Sequence, residues 1–428
     1  MAALVLLPGV SNAQSVTVVD LPSATAKSAA TFASVLNVVE LSDGQLAVND
    51  AMSRQLVYLD RALTTRRVIL DSAMSTASYG NGSRAIIMCS CAEVWFPDVV
   101  SRSILTFDQS GAQKHVMAAP YAPDFILMMN ARTIGDTTNH LFYRGWAPRA
   151  PTPGFPPPPG TILGNPDSAP LLRANFETRK VDTIASLRAL RSWTMVYGRT
   201  GADGKPPAPH IVLDILGSID EWTALPDGTV AIVRGYDYHI DWLLPNGNVV
   251  ASPKLPFDFK RLTDADKGAL MDSARKAELD KHRADYDKRL AAGPTQTYQV
   301  VRAASSSGAG SMEPPPAPMT VKIGPYVQPV VDDVSFDRMP DYYPPIRAGA
   351  MTSDLESNVW ILPTTSAQSR AGELVYDVVS RERGLIMRVR LPGGRSIAGF
   401  GKNGTVYLMS RDADGKWFVE RTSLPRKM

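Results

Sequence analysis

Cysteine is nearly absent: Cys89 and Cys91 are the two in 428 residues. A disulfide framework is therefore excluded as the source of stability, and a chain of this length is large enough to fold on an apolar core. The pair lies two residues apart in the apolar segment AIIMCSCAEVW, so on a strand both would share a face, where a mutual disulfide is strained. Core packing is the expectation for them, because a structural zinc site wants four N or S ligands and no nearby histidine completes a set. Net charge is also small. Forty-five basic against 42 acidic residues leave +3, which excludes a dedicated nucleic-acid binder. Long apolar runs are missing too, and none approaches the ~20 residues of a transmembrane helix. The five histidines, His115, His140, His210, His239 and His282, form no H-E-x-x-H or H-x-H pair. No G-x-S-x-G elbow or phosphate-binding glycine loop occurs either, so the sequence names no catalytic residue.

What is present begins with the N-terminus, MAALVLLPGVSNAQS. An apolar run over 2–10 followed by Ser11-Asn12-Ala13 reads as the h-region and cleavage site of a signal peptide, residues 1–13, and hence as export to the periplasm or beyond. No Lys or Arg precedes Lys27, so the basic n-region is expected upstream of Met1.

Internal repetition dominates the rest. Residues 37–60, NVVELSDGQLAVNDAMSRQLVYLD, combine an apolar segment, the turn Ser42-Asp43-Gly44, an alternating strand, a polar loop and a second alternating strand. Residues 219–252 repeat the pattern around the turns Pro226-Asp227-Gly228 and Pro245-Asn246-Gly247. Asp-Gly and Asn-Gly between alternating runs signal tight hairpins, expected to hold positive φ at both central positions. Weaker copies occupy 84–118, 124–186 and 347–391, and 396–422 holds three strands only. The front segment SVTVVDL, residues 15–21, is available as the missing strand. The sum is an all-β, six-bladed β-propeller over 15–422, made of four-stranded antiparallel blades and closed by the N-terminal strand.

At LSDGQLAVND followed by QLVYLD the chain resembles the NHL-type repeat, and as a whole it resembles the six-bladed, TolB-like propellers exported by bacteria. That resemblance implies a binding or scaffolding module without a cofactor. A minority of such propellers are enzymes, among them lactonases that hold calcium in the central channel through acidic and amide oxygens. A calcium-dependent lactonase or esterase is thus the alternative, although the first inner strand, SVLNVVEL, lacks the glutamate expected at its start.

Blades of ~45 residues would total about 270, leaving about 145 for insertions. These fall at 148–170, 188–218 and 253–346, each in a connection between second and third strands or between blades. Such connections emerge on one rim of a propeller, the usual place for binding loops. Nine prolines lie in 148–170, and Pro314–Pro316 with Pro318 form a second group, so both stretches read as stiff polyproline spacers or as ligands for aromatic grooves. Ser305-Ser306-Ser307-Gly308 reads as a flexible linker. Residues 262–290 are expected to form the one long helix, opened by a Thr263/Asp266 capping box and heavily charged, as a lid or docking element or as a solvated helix on the rim.

The loops after the second strands supply the candidate binding residues: Asn49, Asp50 and Arg54; Asp98 and Arg102; Arg144 and Trp146; and Arg234, Tyr236, Asp237, Tyr238 and His239. Arg beside Tyr or Trp is favoured where a protein, peptide or saccharide is gripped. The competing reading is structural, with Asp and Asn closing Asx-turns and Arg bracing neighbouring blades. Export is checked by mass spectrometry of the mature protein, whose N-terminus is expected at Gln14; a mature chain retaining residues 2–13 would contradict the signal peptide.

Overall fold

The alternating segments pair into six small antiparallel sheets arranged as a six-bladed β-propeller. The computed structural model describes residues 16–72, 87–89, 93–98, 101–121, 124–128, 140–145, 162–164, 167–189, 193–196, 210–291, 293, 295–298, 319–322, 325–333, 335–369 and 373–425. The signal-peptide segment, Cys91, Trp146, most of the proline-rich run, the 305–310 linker and Pro314–Pro316 lie outside them, as does the side chain of Cys89.

Blade 1 comprises Val38–Glu40, Leu46–Asp50, Gln55–Leu59 and Arg66–Leu70. Blade 2 comprises Met88–Cys89, Glu93–Asp98, Ser103–Asp108 and Gln113–Ala118. Blade 4 runs from Asp220–Ala224 through Val230–Arg234 and His239–Leu243 to Val249–Ala251. Blade 5 holds Met351–Ser353, Val359–Ile361, Val375–Ser380 and Gly384–Arg390. Blade 3 differs from expectation, with three described strands, His140–Arg144, Ser168–Asn175 and Val181–Arg188. Part of its expected inner strand, DFILMMN, is instead the helical turn Phe125–Met128, which buries Phe125 and Met128 together against Leu141 and Tyr143.

Blade 6 contributes Arg395–Phe400, Thr405–Arg411 and Trp417–Ser423, and the N-terminal segment closes it differently from the sequence reading. The fourth strand is Ala26–Lys27, antiparallel to Trp417–Ser423. The apolar stretch around Val18–Asp20 runs on to blade 5, where it pairs in parallel with Gly384–Arg390. Phe32 and Trp417 exchange both backbone hydrogen bonds at 2.9 Å. One N-terminal segment therefore ties down two blades.

The turns also refine the expectation. In the Ser42-Asp43-Gly44 hairpin only the glycine has positive φ, +85°, and Leu41 N–H donates to Gln45 O at 2.8 Å. Gly228 and Gly247 repeat this with φ of 79° and 88°. This is the longer loop in which a type I turn is followed by one left-handed residue, a position only glycine fills without strain.

The core lies between blades. Six clusters occupy six seams, each mixing residues of two neighbouring blades. Because side chains alternate along a strand, Leu46, Val48, Val57 and Leu59 of blade 1 face blade 6, whereas Ala47, Leu56 and Tyr58 face blade 2. Both faces of a blade are thus buried.

A seventh sheet stands apart from the ring. It joins Ile162–Gly164, Trp193–Val196, His210–Leu213 and Val330–Asp333 in that order, one or two strands from each of the three insertions. The long helix, Asp264–Ala291, packs its first turns on this sheet through Met271, beside Ile211, Leu213 and Tyr343. Thr263 and Asp266 form the capping box: Asp266 N–H donates to Thr263 Oγ1 at 3.2 Å and Thr263 N–H to Asp266 Oδ2 at 3.0 Å. The Thr263 N–H and then the Thr263 hydroxyl, which donates to Asp266 Oδ2 at 2.7 Å, hold the Asp266 carboxyl below its usual range. Of the 28 helical residues only Lys267 and Met271 are buried, so most of the helix is solvated.

Phe32→Ala tests the closure, because Phe32 is buried in the seam between blades 6 and 1. The expected cost is about 3–5 kcal/mol in urea unfolding; a loss below about 1 kcal/mol would mean that this seam does not limit stability.

Candidate binding face

In an antiparallel meander the second-to-third loops and the blade-to-blade connections share a rim, so the candidate loops and the three insertions lie on one side of the ring. On that rim the polar residues at strand ends turn inward. Asp50 is buried and accepts from Ala33 N–H (3.0 Å), Ser34 N–H (2.9 Å) and Ser53 N–H (3.2 Å), fastening the N-terminal segment as well as its own loop. Asn49 beside it is also buried. Asp98 closes an Asx-turn by accepting from Ser101 N–H at 2.8 Å and Ser101 Oγ at 2.5 Å. Arg54 and Arg102 take the same left-handed position before the third strand, with φ of 55° and 51°. Arg144 is exposed, and Trp146 is outside the described residues.

Blade 4 carries the densest network. Arg234 donates through Nη1 to Asp220 Oδ2 (2.7 Å) and Ser186 O (3.0 Å), and through Nε to Asp241 Oδ2 (2.7 Å). Burial disfavours its charge, but the bonds to Asp241 and Asp220 outweigh this and hold the guanidinium protonated. Asp220 also accepts from Arg188 N–H at 2.9 Å, so this group bolts blade 3 to blade 4. His239 Nε2 lies 3.2 Å from Asp241 Oδ1, and Lys254 pairs with Asp237 at the same distance.

Tyr238, φ 48°, is buried at 1% exposure and donates its hydroxyl to Asp377 Oδ2 in blade 5 at 2.8 Å. Arg388 Nε donates to the other oxygen at 3.0 Å. Burial, then the Asp377 charge, push the Tyr238 hydroxyl well up. Burial likewise raises the Asp377 carboxyl, against the opposing pull of Tyr238 and Arg388. Tyr238 is therefore a staple between blades 4 and 5 rather than a surface contact. Arg234 braces blade 4 to blade 3 in the same sense, whereas Asp50 fastens the N-terminal segment to blade 1 and Asp98 closes its own loop.

The surface groups are different ones. Tyr236 is 76% exposed, with the Arg188 guanidinium 5.7 Å from its ring centroid. From buried Tyr238 a series of edge-to-face rings runs outward: Tyr238 to Phe257 at 5.5 Å, Phe257 to Phe259 at 4.8 Å, and Phe259 to Tyr342 at 5.9 Å. Phe259 is 61% and Tyr342 47% exposed. The series sits where the two ends of the 253–346 insertion meet, zipped by Leu262 N–H to Asp341 O (2.8 Å) and Tyr343 N–H to Lys260 O (3.0 Å). Buried Lys267 caps this neck through Asp341 Oδ1 and Phe336 O, both at 3.2 Å. These aromatics lie outside the blades, so repetition along the chain does not mark them. Their signal was the pair Phe257-Asp258-Phe259 and Asp341-Tyr342-Tyr343 bracketing the helix.

Among the described residues no group of three or more His, Cys, Asp or Glu side chains is placed to hold a metal, and no helix is long and apolar enough to cross a membrane.

Fold and rim together define the class: a six-bladed β-propeller with a one-sided appendage. No protein-family model and no curated protein matches the chain. Among solved structures it is similar to a luciferin-regenerating enzyme, at 10% identity and TM-score 0.37, over 92% of this chain and 92% of that one. It is also similar to a DUF4221 family member from Bacteroides vulgatus, at 9% identity and TM-score 0.38, over 94% of this chain and 96% of that one. A third is TolB from Acinetobacter baumannii, at 8% identity and TM-score 0.30, over 90% of this chain and 63% of that one. Enzymes and other proteins stand side by side in this group, and none of them decides a function here.

Tyr238→Phe leaves a buried carboxylate one donor short, and the expected loss is about 1–3 kcal/mol of unfolding free energy. The raised Asp377 carboxyl has a pH signature of its own. The folded state holds this proton more tightly than the unfolded chain, so its contribution to stability falls as pH rises from about 4, the unfolded value, through the raised folded value. The thermal midpoint of Asp377→Asn is therefore expected to gain on wild type between pH 4 and pH 7; a constant offset would contradict it.

Proposed function

We propose that the protein is an exported, NHL-type propeller that binds a protein, peptide or saccharide without catalysis and without a cofactor, through the rim that carries the insertions. The observation that carries this reading is the aromatic series ending in Phe259 and Tyr342, two large rings held in solvent by a buried anchor. Exposed rings of this size cost solvation and are normally covered; held rigid beside Lys260 and Arg261, they form a surface onto which a sugar face or an apolar side chain stacks. Tyr236, exposed beside Arg188 in the loop of blade 4, adds a further ring on the same rim. The insertion sheet supports the reading physically. Three excursions from the ring share one sheet, which lowers the entropy cost of ordering the surface before a ligand arrives.

The test is capture from a periplasmic extract, followed by titration of the recovered ligand. Phe259→Ala with Tyr342→Ala is expected to weaken binding by about 2 kcal/mol or more, roughly thirtyfold, with little change in thermal midpoint because both rings are exposed. Equal recovery of the same material by wild type and the double variant would show that this face is not the binding surface.

A further inference from the structure

The opposite rim, which carries the hairpin turns, holds a pocket that the binding face does not use. It lies at the seam where the ring closes, between blades 6 and 1, and has a volume of about 580 Å3. That is within the ~300–1,000 Å3 typical of small-ligand sites. Both chain ends contribute to its wall, Pro22 from the N-terminal segment and Ser423 to Pro425 from the last strand and beyond.

The pocket exists because this seam is stitched differently from its neighbours. Between blades 1 and 2 the turns bond directly: Gln45 Nε2 donates to Gln109 O at 3.1 Å, and Gln109 Nε2 donates to Ser42 Oγ. Between blades 5 and 6, Gly404 N–H donates to Glu356 Oε1 at 2.9 Å. Between blades 4 and 5, Arg381 reaches Asp227 at 3.3 Å. At the closing seam, among the described residues, no hydrogen bond joins the 42–44 turn to the 402–404 turn. The tie is deeper: Tyr407 donates its hydroxyl to Glu40 Oε2 at 2.7 Å. A Cβ at position 401 would collide with that carboxylate, so Gly401 is what lets Glu40 sit there. The turns above stand apart and leave the space open.

Its lining is charged in a particular way. Arg61, Lys402 and Arg421 face the pocket, and none of them has a carboxylate partner among the described residues. Arg421 is positioned by donating through Nη1 to Arg61 O at 2.5 Å. The two carboxylates in the lining accept from neutral donors, Glu40 from Tyr407 and Asp43 from Gln45 of its own turn at 3.0 and 2.5 Å. Elsewhere Arg234 pairs with Asp220 inside blade 4 and Arg388 with Asp377 inside blade 5. Three cations against two carboxylates leave the lining formally positive, none of the three is bonded to a carboxylate, and guanidinium groups meet carboxylate or phosphate oxygens two at a time, so this concave space favours an anion.

We propose that this pocket binds a small hydroxylated polyanion, a di- or tricarboxylate or a phosphate ester. Arg61, Lys402 and Arg421 take its charged groups. Glu40, whose Oε1 receives no bond from the described residues, accepts a ligand hydroxyl, and Tyr407 fixes that carboxylate from below. The site is independent of the aromatic face, which lies across the ring.

Isothermal titration at low ionic strength with citrate and with glycerol 3-phosphate tests it, using triethyl citrate and glycerol as the uncharged counterparts. At least one anion is expected to bind, and which one does separates a carboxylate from a phosphate source. Affinity should fall as salt rises. Arg61→Ala with Lys402→Ala should lower it at least tenfold, while capture through the aromatic face stays unchanged. Should that variant unfold, Lys402→Gln on the exposed turn alone is expected to lose affinity by a factor of about three or more. The proposal is overturned if neither anion binds at about 10 mM, if the uncharged counterparts bind equally well, or if the substituted protein keeps its affinity.

Discussion

Burial of both faces of every blade is the constraint on which the rest of the structure depends. A four-stranded meander has two apolar faces, and alternation along its strands hands odd residues to one neighbour and even residues to the other. Blade 1 shows this directly, since successive residues Leu46, Ala47 and Val48 divide between the seams to blades 6 and 2. A blade so built is stable only between two others. The ring must therefore close, and closure is where the N-terminal segment is spent: Ala26–Lys27 completes blade 6, Val18–Asp20 extends blade 5, and Phe32 fills the seam to blade 1.

The seams also explain the fate of the polar residues at the strand ends. Blades joined by apolar contact alone could slide, because dispersion has little directional preference. Directional bonds at the rim prevent it: Asn37 with Ile87 between blades 1 and 2, Arg234 with Ser186 and Asp220 with Arg188 between blades 3 and 4, and Tyr238 with Asp377 between blades 4 and 5. Buried carboxylates are costly unless fully partnered. Asp50, with three backbone donors, meets that condition. The same logic makes the closing seam unusual. There Tyr407 donates to Glu40 and Arg421 to the Arg61 carbonyl, and the cations Arg61, Lys402 and Arg421 line a pocket with no carboxylate bonded to them among the described residues.

The appended sheet shows how a repeat fold gains asymmetry. The second and third insertions together bury Ile211, Leu213, Leu216, Leu262, Met271, Met339 and Tyr343, and the first adds the edge strand Ile162–Gly164 to their sheet. The neck between 260–262 and 341–343 then holds Phe259 and Tyr342 in place beside blade 4. A rigid ring thereby carries an exposed aromatic surface without relying on a loop to order it.

The blade count and the turn positions were legible in the amino-acid sequence because each is written locally. Period-two alternation, Asp-Gly and Asn-Gly turns and the Thr263/Asp266 cap act over a few residues, and a linear reading recovers them. The same reading placed Tyr238 and Arg234 on a binding rim but could not tell a solvent contact from a brace, since that depends on Asp377 and Ser186, residues far away in the chain. It also assigned the wrong N-terminal stretch to the last blade, because an exposed edge strand carries no mark of its partner. The aromatic series and the closing-seam pocket belong wholly to tertiary structure. Residues 22, 40, 61, 402 and 421 meet only because the ring brings the two ends of the chain together, and no local pattern records that encounter.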